Sequence, residues 1–256
     1  MNDEYSAFSE RQEREWALGF FNDSIFDNNK LARVASKISP SGIIQSYQGV
    51  TSVFPVIYTN LSAQLASLSD EIYESINRAK LFDLVYQLPH LTHHMTVADI
   101  APNSDFNPEE SPGVRIPEIL VNDFREKITC AFDQIRKENI TEITGQISGI
   151  GANVTIAFRV DFQPEEFSKI YKIEKIIKYN TGINIRPFPG IISAFLMKPN
   201  TMLTEYSQEL INSLIPFENL LDRNLIITFS DLYYTLFRSM IDYKWLNSMK
   251  LLKHHQ

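Results

Sequence analysis

His93-His94-Met95-Thr96-Val97-Ala98-Asp99-Ile100 is the stretch on which the reading of this chain turns. It is a strand candidate. Strand side chains alternate faces, which puts His94 and Thr96 on one side and His93 and Asp99 on the other. An imidazole beside a hydroxyl suits phosphoryl chemistry. The histidine gives or takes a proton, and the threonine hydrogen-bonds a phosphate oxygen. His-x-Thr alone arises often by chance, and a strand histidine satisfied by backbone is the commoner case.

Working outward, Gly42–Tyr58 is rich in β-branched and aromatic residues and reads as one or two strands broken at Gly49. A helix is expected from Leu61, with Leu65, Leu68, Ile72 and Ile76 at helical spacing and Asn60 as its N-cap. A short apolar run, Leu81–Leu88, ends at Pro89. Residues 101–115, with three prolines, read as a loop. Ile116–Glu138 is a second amphipathic helix, facing Ile119, Phe124, Ile128, Phe132 and Ile135 inward. Strands near Ile143–Ile150 and Val154–Val160 follow, joined at Gly151–Asn153. The helix Phe167–Tyr179 stops at Asn180–Gly182. Gly190–Met197 is a strand, Leu203–Leu214 a helix and Leu225–Phe237 a strand region. The order of strands and helices recurs loosely in the two halves, as in a duplicated α+β protein. Residues 1–40 read as a polar, helix-prone extension anchored by Trp16, Phe20, Phe21 and Phe26, residues 41–243 as the main domain, and residues 244–256 as a frayed tail.

At 256 residues the chain can bury a core without staples, and a 44% apolar fraction fits a globular protein. The single cysteine, Cys130, precludes an internal disulfide framework, suits a reducing compartment and is expected to be a buried structural thiol. The polar, acidic N-terminus does not resemble a signal or transit peptide, and no run reaches the ~20 apolar residues of a membrane span, so a cytoplasmic protein without a membrane partner is expected. A net charge of −7 disfavours long nucleic acids but leaves room for a local site that holds a small phosphorylated ligand.

The order of several short phrases resembles the two-histidine (2H) phosphoesterase superfamily, in a branch that is still a domain of unknown function. Gly42-Ile43-Ile44-Gln45-Ser46-Tyr47-Gln48-Gly49-Val50-Thr51 is similar to that branch's upstream pattern, with Gln48 where proline is expected. Leu88-Pro89, His94-Met95-Thr96-Val97 and Phe229-Ser230-Asp231-Leu232-Tyr233-Tyr234 then follow in the branch's order, so the likeness spans roughly Lys37 to Tyr243. The resemblance implies a bilobal α+β fold in which two pseudo-symmetric lobes set antiparallel sheets around a central cleft. Each lobe normally contributes one His-x-Thr to that cleft, one histidine as general base and the other as general acid, without metal or other cofactor.

Where the second motif is expected, the chain reads Gly190-Ile191-Ile192-Ser193-Ala194-Phe195-Leu196, with Gly190 at the histidine position and Ile192 at the threonine position. Ser193, one step further, is expected to point away from the cleft. The five histidines are His90, His93, His94, His254 and His255, so nothing between residues 95 and 253 restores the missing imidazole. On an extended strand His90 lies about 13 Å from His94. His93 faces the other side, and the terminal pair reads as solvated.

Adjacent strand histidines diverge, and no partner cysteine or His-x-x-x-His helix accompanies them, so no metal site is expected. Gly145–Gly151 lacks the Lys-Ser/Thr ending of a phosphate loop and reads as strand and hairpin. Arg159 and Arg186 are candidate substrate-binding residues through their fork geometry, although surface salt bridges are the more usual fate of such arginines. Tyr47 is a candidate cleft aromatic.

Two readings stay open. One is a divergent enzyme in which His94, as the single acid/base, acts with Thr96 on a small phosphorylated or nucleotide-like molecule. The other is an inactive module that binds a ligand or partner in the same cleft. A competent phosphodiesterase is the least favoured, and oligomeric state is not legible.

Overall fold

A computed structural model describes residues 2–16, 18, 34–102, 118–153, 155–183, 188–199, 203 and 205–253. In chain order the elements are α1 (Asn2–Trp16), β1 (Gly49–Pro55), α2 (Ser62–Arg78), β2 (Val85–Gln87), β3 (His94–Pro102), α3 (Glu118–Lys137), β4 (Ile143–Ala152), β5 (Thr155–Asp161), α4 (Pro164–Thr181), β6 (Ile191–Met197), α5 (Ser207–Leu214), β7 (Ile226–Phe229), β8 (Asp231–Ser239) and β9 (Asp242–Lys250). The strands form one antiparallel sheet in the order β7-β4-β5-β6-β3-β1-β8-β9, with β2 also pairing β6. Ser230 alone separates β7 from β8, so one run of chain serves both ends of the sheet. A bridge between Thr141 and Leu252 stitches the residues leading into β4 to the end of β9, and the sheet curls on itself.

Helix spacing explains the packing. The buried residues of α2 are led by Leu65, Leu68, Ile72 and Ile76, those of α4 by Phe167, Ile170, Ile173 and Ile177, each a single stripe. Phe124, Ile128, Phe132 and Ile135 of α3 are buried against the same core, and α3 packs along α4. Six aromatic side chains, Phe54, Phe132, Phe158, Phe195, Phe229 and Tyr234, are fully enclosed. Each large apolar side chain taken out of water contributes about 1.5–3 kcal/mol. The α4 helix ends at Gly182, whose φ of +70° is the left-handed cap conformation that glycine adopts without a Cβ clash.

Several expectations change. Cys130 is exposed. It sits two residues from both Ile128 and Phe132, and a two-residue step on a helix crosses to the opposite side. Leu61, not Asn60, stands at the N-cap of α2. The Asn60 side chain instead donates to the Ile226 carbonyl (2.8 Å) and accepts from the Thr228 N–H (2.9 Å), acting as a paired residue for edge strand β7. Residues 244–250, assigned above to a tail, belong to β9, whose register runs along β8 from Asp242↔Ser239 to Lys250↔Asp231. Trp16 is buried, as an anchor should be, whereas Phe20, Phe21, Phe26, Arg186, His254 and His255 lie outside the described residues.

Candidate functional site

Strands β3 and β6 lie side by side and meet in the pair Met95↔Ile192. Each carries a one-residue bulge at the same distance from that pair, and β3 has a second one further on, at Ile100. Against β1, Thr96 pairs Val53 while Ala98 pairs Ser52, so Val97 is the extra residue. Against β5, Ser193 pairs Ala157 while Phe195 pairs Ile156, so Ala194 is the extra residue. A bulge interrupts the two-residue alternation and re-aims everything beyond it. Before the bulges, His94 and Thr96 on β3 and Ile191 and Ser193 on β6 all line one cavity of about 600 Å³.

This placement differs from the sequence reading of β6. Ile192, expected on the cleft side, is buried, as is Gly190, while Ser193 lines the cavity. Periodicity alone cannot say which face of a strand meets a cavity when both faces are apolar. Ile192 and Ala194 join the main hydrophobic cluster, and the alternate residues are left for the cavity. Counted along each strand from the Met95↔Ile192 pair, Ile191 and Ser193 hold the positions on β6 that His94 and Thr96 hold on β3.

His94 Nδ1 is 2.7 Å from the Thr92 carbonyl oxygen. A carbonyl only accepts, so Nδ1 carries the proton, and in the neutral ring Nε2 keeps its lone pair. Its ring meets Tyr243 edge to face at 4.9 Å. Burial, reinforced by the Lys37 charge, pushes the His94 pKa below its ordinary value, while the Thr92 carbonyl and Asp99 oppose that shift. At neutral pH the group is an uncharged imidazole, suited to accept a proton.

Asp99 also lines the cavity, although simple alternation placed it with His93. The Val97 bulge causes the switch. The Thr51 hydroxyl donates to the Ala98 carbonyl (2.9 Å) and lies 3.3 Å from Asp99 Oδ1. Tyr47 is buried in the wall, stacked on Phe237 at 5.6 Å, with the Lys37 ammonium 5.1 Å from its ring centre. Asn153, Thr155, Arg11 and Glu15 add to the polar lining. Sequence reasoning missed Asp99, Ser193, Lys37 and Arg11. The first two hinge on bulge and face, and the last two come from segments without a motif.

Arg159 does not line this cavity. Its Nη2 donates to the Glu218 carbonyl (3.0 Å), and it borders a second cavity of about 550 Å³. The α1 helix separates the two spaces, with Arg11, Glu15 and Trp16 on the first and Phe8, Gln12 and Glu13 on the second. His93 is 1% exposed and faces Phe158 at 6.4 Å. Burial, with the His90 and His94 charges, pushes its pKa down to about 4. His90 sits 3.2 Å from Asp70, and neither of these histidines lines the cavity. Among the described residues no group of three His, Cys, Asp or Glu side chains is placed to share a metal ion, and no helix is long and apolar enough to cross a membrane.

No protein-family model matches the chain, and no curated protein sequence matches it. Among solved structures, a conserved protein of unknown function from Agrobacterium tumefaciens is similar over 82% of this chain and 89% of its own, with 14% identity and a TM-score of 0.56. A Thermus thermophilus protein is similar over 82% of this chain and all of its own (11% identity, TM-score 0.49), and E. coli LigT complexed with 3'-AMP over 80% and 98% (11% identity, TM-score 0.47). The chain is a remote structural relative of the Agrobacterium protein, with which it shares an α+β fold built on a curled antiparallel sheet.

Proposed function

We propose that this chain is a divergent 2H-phosphoesterase-like protein that binds a small phosphorylated or nucleotide-like molecule in the His94 cavity, with His94 as the single proton-transfer group. The observation that carries this reading is the state of His94: a neutral imidazole whose Nδ1 is tied to Thr92, leaving Nε2 as its open nitrogen in a cavity shared with the Thr96 hydroxyl. Such a group takes the proton of an attacking hydroxyl or water as a general base. Thr96, Ser193 and Thr155 offer hydroxyl hydrogen bonds, and Lys37 and Arg11 offset negative charge.

The matched registers support the bilobal reading. The strand order divides into β7-β4-β5-β6 and β3-β1-β8-β9, and each half joins two of its strands through a helix, β5-α4-β6 directly and β1-α2-β3 by way of β2, which pairs β6. Met95 and Ile192 pair with each other at the junction, and both central strands bulge at the same step. In this frame Ile191 stands where a second imidazole would be. A leaving group receives no proton from an isoleucine, so the favoured reaction expels a group that is stable as an anion. That same Ile191 favours a second reading, a binding module without turnover.

Turnover of a panel of cyclic and linear phosphodiesters and activated phosphate esters separates the readings. The enzyme reading expects at least one substrate whose hydrolysis falls ~10²–10⁴-fold in His94→Ala. Stabilisation by nucleotides that follows their concentration, with no turnover anywhere in the panel, replaces it with the binding module. If the panel is neither turned over nor bound, both readings fail.

A further inference from the structure

The α1 helix docks by a narrow stripe, Phe8, Gln12 and Trp16, each one helical turn after the last and all buried. Its seat is built from two glycines. A Cβ on Gly190 would collide with Gln12 Nε2 and the Phe8 ring, and one on Gly151 with the Trp16 carbonyl oxygen. Gly190 also has a φ of +62°, which a side chain rarely adopts. Gln12 Nε2 donates to the carbonyls of Pro189 and Gly190, and Arg11 Nη2 to that of Phe188, so the helix is fixed to the segment that leads into β6. This docking brings Arg11, Glu15 and Trp16 to the same cavity wall as Pro189, Ile191 and Ser193.

We infer that α1 supplies, through Arg11, the anion-holding group that β6 lacks, and that the cavity seats a phosphate-type oxyanion between Arg11, Ser193 and Thr96. On the β3 side the cavity has an imidazole and a hydroxyl. On the β6 side it has a hydroxyl and an isoleucine, and the guanidinium beside them belongs to α1. A planar guanidinium binds tetrahedral oxyanions through paired N–H donors and keeps its charge even when half-buried. The carboxylates that face Arg11 are Glu15 and Glu174. Burial pushes the Glu174 pKa up to about 7, so near neutrality it cancels only part of the arginine's charge. This inference deepens the proposed function by naming the ligand's anionic group and its holder.

Inorganic phosphate is the probe, with binding followed by calorimetry and by thermal shift. Wild type should gain stability with phosphate concentration, and Arg11→Gln should weaken phosphate roughly ten- to hundredfold, as expected for loss of a charge-assisted pair. Arg11→Lys should recover part of that loss. Protection of the α1 amides from hydrogen exchange should be unchanged in both variants, which separates a lost contact from an undocked helix. Gly151→Leu keeps Arg11 but evicts α1, and should lose phosphate binding together with α1 protection. Wild-type phosphate affinity in Arg11→Gln, or in Gly151→Leu with α1 demonstrably released, overturns the assignment, as does a wild type that phosphate does not stabilise. A chain that binds phosphate through Arg11 yet turns over no ester retains this inference while the proton-transfer reading fails.

Discussion

β3 and β6 are neighbours with the same local architecture and different chemistry. Each sends two side chains into the cavity ahead of a bulge, at Val97 and at Ala194, and β3 adds Val97 and Asp99 to the lining. Yet β3 presents His94 and Thr96 where β6 presents Ile191 and Ser193. Backbone geometry is thus alike around these positions, while an imidazole stands on only one of the two strands. The reason is energetic. A bulge is held by the pairing partners on both sides of its strand, and moving it would shift every buried side chain beyond it to the wrong face. A cavity-facing side chain that packs against little is replaced at small cost in stability. On β6 a hydroxyl, Ser193, faces the cavity, and the arginine on the same cavity wall, Arg11, belongs to another part of the chain.

This contrast can be broken or sharpened by experiment. The largest effect should come from His94→Ala, which is expected to lower kcat/KM on any accepted ester ~10²–10⁴-fold with little change in melting temperature. An equal loss from Ile191→Ala would erase the asymmetry between the strands. Next, Met95→Ala and Ile192→Ala, which truncate the paired residues at the junction, should each cost about 2–5 kcal/mol in denaturant unfolding. A marked inequality between them would argue against matched environments.

Acid should then separate His93 from His94. The folded pKa of His93 is about 4, below its ordinary value of 6.5, because the buried ring resists charging. Stability from this residue is complete above 6.5, is lost as pH falls from 6.5 towards 4, and levels off below, by roughly 3 kcal/mol in all. His93→Gln should flatten that part of the stability profile, as measured by urea unfolding across the range. The proposed role has His94 acting in its neutral form, so activity should rise with pH to a plateau whose midpoint lies below the ordinary histidine value. A bell-shaped profile, with a second limb from a general acid, would contradict the single-imidazole reading. Smaller still, Ile191→His should raise turnover of esters with poor leaving groups by about tenfold, a modest gain because nothing nearby is arranged to orient the new ring. Last, Cys130→Ser should stay within about 0.5 kcal/mol of wild type, as an exposed position requires.

Much of the framework was legible in the chain. Apolar residues at helical spacing located α2, α3 and α4 to within a few residues, since a helix must turn one stripe to the core. Gly182 marked the end of α4 because only the left-handed cap conformation stops it there. His94 and Thr96 were identified as a pair, and both line the cavity. The chain has no histidine between residues 95 and 253.

The sequence by itself determined which elements form and which chemical groups exist, because side-chain periodicity and composition are local properties. Only the tertiary structure decided where those groups point. Whether Gly190 and Ile192 or Ile191 and Ser193 meet the cavity depends on which side of β6 the core claims. Asp99 turns inward through a bulge forced by pairing with β1. Arg11 reaches the cavity, and Arg159 is kept from it, because a helix from the other end of the chain rests on Gly151 and Gly190. Each of these outcomes is set by partners a hundred or more residues away or by the register of a neighbouring strand. A short stretch of sequence carries no record of either.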